Sequence, residues 1–297
     1  SASGRLKRWL TLKTLFDLDA RFRVMDGFPG YSQFLTPSMP PVEDLGEADA
    51  AADLAMLMND ELAELVAKYP DRFAGWCGAV SFLNPDMAIK EIDRLATMGS
   101  SGVQIITNIR GEPLDAPRFE SIFDTIARHG MAIWLHPARG PHIADYPTED
   151  RSRFEIWWAF GWPYESSVAM ARLVFSGLFD RHPELRIITH HLGAMIPFFA
   201  GRIEQGWGKQ MGTRTPEYFK LFYGDTALSG SAAATRCGLD FFGNKRVLFG
   251  TDFPYDAEGG AILVRETLRS LDQLALPAST RAAIDRGNLL RFINRQT

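Results

Sequence analysis

The sequence is poor in the features that mark several large classes of protein. Cysteine occurs twice in 297 residues, at Cys77 and Cys237, too few for a disulfide scaffold or a four-thiolate metal site and in keeping with a reducing cytoplasm. No apolar run reaches the roughly 18 residues that a membrane span needs, and Ser1 to Arg8 does not read as the apolar core of a signal peptide. Charge of one sign is missing too: 36 acidic against 32 basic side chains give a net charge of −4, with no broad attraction for nucleic acid or an anionic membrane. No Gly-x-Gly-x-x-Gly follows the first apolar strand and no Gly-Lys-Ser/Thr phosphate loop occurs, so nucleotide-binding folds lose their main support. Histidine is scarce as well, six in all and none before His129.

What remains is an ordinary globular composition, 46% hydrophobic and 23% charged, with a regular alternation of elements. Short apolar runs rich in β-branched and aromatic residues cover 31–36, 73–83, 102–107, 131–136, 186–191, 221–226 and 247–252, and predict seven buried strands. Amphipathic stretches at 48–68, 86–98, 118–128, 165–181 and 257–274 predict the helices between them. Continuous apolar strands alternating with helices imply an α/β fold with a parallel sheet covered by helices, either doubly wound or closed as a TIM-type (β/α)₈ barrel. The length suits a single domain over residues 1–297, since one α/β barrel takes about 250 residues.

The polar residues favour the barrel. Gln104 and Asn108 lie near the end of one apolar run, and His136, His191, Asp225 and Asp252 close four others. A barrel gathers strand ends from its whole circumference onto one face, whereas an open sheet presents a single crevice. His136 ends a wholly apolar run. A neutral imidazole there either binds a metal through one nitrogen or serves as a core histidine bonded to backbone. His190 and His191 are adjacent, and neighbouring strand residues face opposite ways, so only one is expected to enter the lumen. Asp252 follows an apolar strand, where a buried carboxylate calls for a cation or a helix to cap. Together, His136, one of the two adjacent histidines and Asp252 make an N/O donor set suited to a divalent metal, zinc or manganese. His129 and His182 read as helix C-terminal residues, and His142 belongs to a Pro/Gly-rich stretch after the His136 strand.

Taken in order, these motifs resemble the amidohydrolase-related metal-dependent decarboxylases, the group that includes aminocarboxymuconate semialdehyde decarboxylase and the hydroxybenzoate decarboxylases. The resemblance runs along nearly the whole chain. It comprises Asp17-x-x-x-Arg21-x-x-x-Met25-Asp26, the stretch from Lys68 to Phe73, Gly102 to Ile105, Leu135-His136-Pro137, His191-x-Gly193-x-x-x-Pro197 with Gly201 to Ile203, Gly250-Thr251-Asp252-x-Pro254, and Gly287-Asn288. It implies that His136 and Asp252 are metal ligands and that His191 is the catalytic histidine, also within reach of the metal, with His190 turned to the helices. It further implies that Trp158 is a pocket aromatic and that Arg202 reaches a substrate carboxylate in a neighbouring subunit of a homodimer. Core packing and a solvated helix face are the competing roles of these two residues. One departure stands out: the family's first strand ends in a His-x-His or Glu-x-His pair, and no such pair exists here. Seven strands are also one short of eight, and a segment preceding Ser1 is the expected source of both.

The expected activity is non-oxidative decarboxylation of an aromatic or unsaturated carboxylic acid, a small-molecule substrate, with Asp252 as ligand, proton donor or both. A hydrolase of a lactone, cyclic amide or ester fits the same residues, because a metal-bound hydroxide with a histidine base serves that reaction equally. A barrel that binds a small acid without catalysis is the third possibility, motivated by the missing pair.

Overall fold

The computed structural model describes residues 10–206 and 216–293. Every apolar run predicted as a strand becomes one, with narrower limits: β1 (Gln33–Leu35), β2 (Phe73–Trp76), β3 (Gly78–Ala79), β4 (Gly102–Ile106), then a short hairpin of β5 (Asn108–Ile109) and β6 (Glu112–Pro113), and β7 (Ala132–His136), β8 (Arg186–Thr189), β9 (Tyr223–Asp225) and β10 (Val247–Leu248). Six of these form one sheet in the order β3, β4, β7, β8, β9, β10, all parallel. β1 runs parallel to β2. A single stretch of chain carries β2 and β3, interrupted at Cys77, whose N–H donates to the Leu35 carbonyl at 3.0 Å. The seven strand positions therefore follow one another in sequence order from β1 to β10. Among the described residues the two ends of this series are not paired with each other, and both border one cavity.

Twelve α-helices are described: α1 (Leu18–Asp26), α2 (Ala48–Lys68), α3 (Pro85–Thr97), α4 (Glu120–Arg128), α5 (Ile156–Ala159), α6 (Gly161–Phe175), α7 (Leu178–Arg181), α8 (Ala200–Gln205), α9 (Ala232–Phe242), α10 (Ala261–Gln273), α11 (Ala278–Ala282) and α12 (Asn288–Ile293). Their limits follow local chemistry. The Asn84 side chain caps α3 by accepting from the N–H groups of Asp86 and Met87, Pro85 occupies the first turn, and Ala88, Ile92 and Leu95 form its buried stripe. The helix expected over 165–181 is instead two. Gly177 takes φ +85° between α6 and α7, a conformation that ends a helix and costs glycine little.

Side chains along the parallel strands separate into two sets, as period-2 alternation requires. Ile133, Leu135, Ile187 and Val247 join the large core under the helices. Ala132, Trp134, Ile188 and Leu248 form a second cluster with Cys77 and Phe292, toward the barrel interior. Trp134 stacks on Phe34 with centroids 4.8 Å apart and meets the edge of Phe292 at 5.4 Å. Phe292 also packs on Tyr223 at 4.8 Å, so α12 plugs the N-terminal end of the strands. Asn288 anchors this plug by donating to the carbonyls of Asn244 and Val247 at 2.8 and 2.6 Å. No helix among the described residues is long and apolar enough to cross a membrane.

Candidate metal and active site

The C-terminal ends of β7, β8, β9 and β10 carry the chemistry, and each strand delivers its residue differently. His136 is the last residue of β7 and is buried. Its Nδ1 lies 2.8 Å from the Pro137 carbonyl, an acceptor that fixes the proton on Nδ1 and leaves the Nε2 lone pair free. The edge of Trp162 covers the ring, with centroids 5.3 Å apart. Burial pushes the pKa of His136 down to about 3, helped by the neighbouring His190 and His191, so the imidazole is neutral and ligand-ready at any physiological pH.

β8 stops at Thr189, and here the structure corrects the sequence expectation. His190 keeps extended backbone (φ −60°, ψ 157°), but His191 and Leu192 turn to φ +57° and +52°. Period-2 alternation ends where the strand ends, so His190 does not face the helices. It lines the cavity, its ring 5.2 Å from that of His136, while the His191 ring lies 5.8 Å from His136. The strained turn is pinned by the buried Leu192, whose side chain occupies the space that a Cβ on Gly238 or Gly224 would need. Left-handed backbone at non-glycine residues is costly and persists only where packing dictates it. Asp252 is in the same state, φ +65°.

Asp225, at the end of β9, was singled out in the sequence only as a polar strand end. It organises this turn. Its Oδ1 accepts from the backbone N–H of His191 and of Ala227 at 3.0 and 3.1 Å, and its Oδ2 lies 2.8 Å from Nδ1 of His190. Burial opposes its ionisation, and the contacts with His190 and His191 more than offset that, holding its pKa below the usual carboxylate value. The sequence offered the two adjacent histidines and a polar strand end at Asp225, and nothing in it states that they are partners.

His191 and Asp252 form an ion pair at 3.7 Å. Burial works against the charged form of each, yet the mutual attraction prevails: the pKa of His191 is raised and that of Asp252 falls to about 2. Donor atoms of His136, His191 and Asp252 all lie within 4.8 Å of one another. A set of two imidazole nitrogens and a carboxylate oxygen fits a divalent cation such as zinc or manganese, and the buried Nε2 of His190, which has no hydrogen-bond partner, is the kind of orphan that such a site leaves.

The site opens on a cavity of about 1400 Å³ whose wall includes Arg21, Tyr31, Gln104, Trp134 and Tyr255. Gln104 is held there by donating to the Pro37 carbonyl at 2.9 Å. Asn108 instead serves the scaffold, donating to Ala138 O at 2.8 Å and Glu165 at 3.3 Å. Trp158 and Arg202 are not brought to the cavity wall of the single chain: Trp158 is exposed and donates to Glu155, and Arg202 is exposed on α8. His129 and His182 cap the C-termini of α4 and α7, as expected.

A parallel α/β barrel framework with histidines and an aspartate converging at the strand C-termini defines a metal-dependent enzyme of the amidohydrolase type. The comparisons agree. A family model described as "Amidohydrolase" matches residues 11–295, and the chain belongs to that family. It is 29% identical over 252 residues to the 2-amino-3-carboxymuconate-6-semialdehyde decarboxylase of Dictyostelium discoideum, covering 82% of this chain and 67% of that relative. To the gamma-resorcylate decarboxylase of Rhodococcus jostii (strain RHA1) it is 32% identical over 256 residues, covering 80% and 77%. The structure of a dihydroxybenzoic acid decarboxylase from Polaromonas sp. JS666, solved with bound manganese and the inhibitor 2-nitroresorcinol, superposes with a TM-score of 0.78 at 25% identity over 93% of this chain and 85% of that one. The expected resemblance to metal-dependent decarboxylases is thus borne out.

Proposed function

We propose that the protein is a carbon–carbon lyase that removes CO₂ without oxidation from an aromatic or unsaturated carboxylic acid, using a divalent metal, zinc or manganese. The observation that carries this reading is the convergence of His136, His191 and Asp252 within 4.8 Å, with His136 and Asp252 on the cavity wall, in a chain whose relatives are named decarboxylases. His136 and Asp252 hold the cation, with His191 beside both. A bound divalent cation supplies Lewis-acid polarisation of the substrate's oxygen atoms and fixes their position.

The remaining chemistry belongs to the chain. Cleavage of the bond to the carboxylate carbon leaves its electron pair on the substrate carbon, which must receive a proton as CO₂ departs. His191 holds a proton facing Asp252 and is placed to deliver it. Tyr31 and Phe253 give the cavity an aromatic wall for a flat substrate, and Tyr255 and Gln104 offer hydrogen bonds along it.

We further propose a homodimer in which Arg202 and Trp158 act across the interface. The exposed rings of Phe154, Phe160 and Phe198 support it, since large apolar side chains left on a surface favour subunit contacts. A single barrel domain fits the seven strand positions that border one core, and a cytoplasmic location fits the two free cysteines.

The test is a product assay on metal-reconstituted protein with resorcylates, salicylates, carboxyvanillate and a set of lactones and cyclic amides. The expected result is release of CO₂ with formation of the corresponding phenol. Ring opening of a lactone without CO₂ release assigns the hydrolase reaction instead, and binding of the acids without turnover assigns a non-catalytic role.

A further inference from the structure

We propose that the outer helix layer carries a zinc site of its own, built from Glu120, Asp124 and His182 and separate from the donors at the barrel mouth. Donor atoms of these three residues lie within 4.8 Å of one another, and none of the three borders the cavity. Local sequence brings them together. Glu120 and Asp124 stand one turn apart on α4, which puts both carboxylates on one face of that helix. His182 ends α7, its backbone N–H donating to the Leu178 carbonyl at 2.8 Å. The proline that follows, Pro183, keeps it off the helical course, at φ −132° and ψ 69°, and its ring meets α4.

The imidazole is the observation that points to a cation. His182 is only 9% exposed, and its Nε2 is buried without a hydrogen-bond partner, although Asp124 Oδ1 lies 3.1 Å away. The carboxylate oxygen is close enough for a hydrogen bond but off the line of one. Two ligands of a single ion stand in that relation. With bonds of about 2.0–2.2 Å and angles between octahedral and tetrahedral they are about 2.8–3.6 Å apart, each aimed at the ion rather than at the other. Glu120 completes the set. Its two oxygens accept from Arg181, and a carboxylate has about four lone-pair sites, so each oxygen keeps one for a metal. Like charges at this spacing on a helix repel each other, and Arg181 pairs with the first of the two carboxylates.

The donor chemistry selects the ion. One imidazole nitrogen with two carboxylates suits zinc, whereas calcium and magnesium take sets of oxygen ligands. The side chains of Glu120 and Asp124 are 41% and 56% exposed, so water completes the coordination. That exposure, and the sharing of Glu120 with Arg181, make this the weaker of the two sites, filled after the buried donors at the barrel mouth. A bound zinc joins α4 to α7, the helices that lead into the neighbouring strands β7 and β8, and takes no part in the reaction.

Zinc uptake is the test. Chelator-stripped wild-type protein equilibrated with saturating Zn²⁺ is expected to hold one equivalent more than either Asp124→Asn or His182→Asn. Equal uptake by wild type and a folded Asp124→Asn protein, whose substitution lies at an exposed side chain, overturns the proposal. The count is a difference, so it stands apart from the decarboxylase reading and from the occupancy of the barrel mouth. A measurement without any variant is decisive by itself: crystals soaked in zinc chloride and measured on both sides of the zinc absorption edge are expected to show an anomalous peak among Glu120, Asp124 and His182. No peak there at saturating zinc overturns the site and leaves a plain His182–Asp124 ion pair. Zinc is also expected to raise the melting temperature of wild type more than that of Asp124→Asn, and an equal rise overturns the link between the helices.

Discussion

The two ends of the same strands make opposite use of the same inward-facing positions. At the N-terminal end, Ala132, Trp134, Ile188, Tyr223 and Leu248 close against Phe292 in an apolar cluster. Two or four residues further along, β7, β8, β9 and β10 deliver His136, His190, Asp225 and Asp252, several of them on left-handed or strand-terminating backbone. The first end stabilises by burying rings in regular geometry. The second gathers charge, strain and an unsatisfied nitrogen, all of which oppose folding unless a ligand or a dense set of contacts offsets them. A barrel separates stability from chemistry along its axis, and this chain shows the separation within single strands.

That contrast can be broken deliberately. The largest effect is expected at the polar end: His191→Asn lowers turnover by about 10²–10⁴-fold, with a far smaller change in the urea midpoint. Parallel kinetic and denaturation measurements check this, and a loss of stability matching the loss of rate contradicts it. At the opposite end Trp134→Ala removes the ring stacked between Phe34 and Phe292 and is expected to cost about 3–5 kcal/mol of stability, while Co²⁺ affinity of the folded protein stays within error. Asn288→Ala loosens the same plug by deleting the hydrogen bonds to Asn244 and Val247, the second of them buried, at an expected cost of about 1–3 kcal/mol, again without effect on the metal.

The smallest expected effect is a pH-dependent one away from both ends. Glu43 is buried, accepts from the Phe82 N–H at 3.0 Å, and has its pKa raised by that burial. A raised carboxyl pKa means that the native state favours the protonated form, so the contribution is fully present below the unfolded value of 4.5 and is lost as pH rises through the folded value. Glu43→Gln keeps the acceptor and removes the charge. The variant is expected to gain stability relative to wild type as pH goes from 4 to 7, a change read from melting temperatures; a constant difference across that range contradicts the assignment.

Much of this architecture was legible in the sequence, and the reasons are physical. Buried parallel strands leave continuous apolar runs, which placed all seven strand positions, and strand-end polarity marked His136, Asp225 and Asp252. The error at His190 came from extending the alternation of β8 beyond Thr189, where it no longer applies. That chain reversal depends on Leu192 settling against Gly224 and Gly238, residues more than 30 positions away, and local pattern carries no trace of such a contact. The split of the 165–181 helix at Gly177 was readable from the glycine alone. The roles proposed for Trp158 and Arg202 carry no local signal, and neither residue borders the cavity of the single chain.

We propose that the polar end of this barrel holds one divalent cation and uses it to release CO₂. The most direct test is the rate of CO₂ release from a dihydroxybenzoate by chelator-stripped protein as manganese or zinc is added back. Negligible activity is expected in the stripped protein, followed by a linear rise with a break at one equivalent per chain, and no rise in the His136→Asn variant. A rate independent of added metal, or an equal response in that variant, would contradict it.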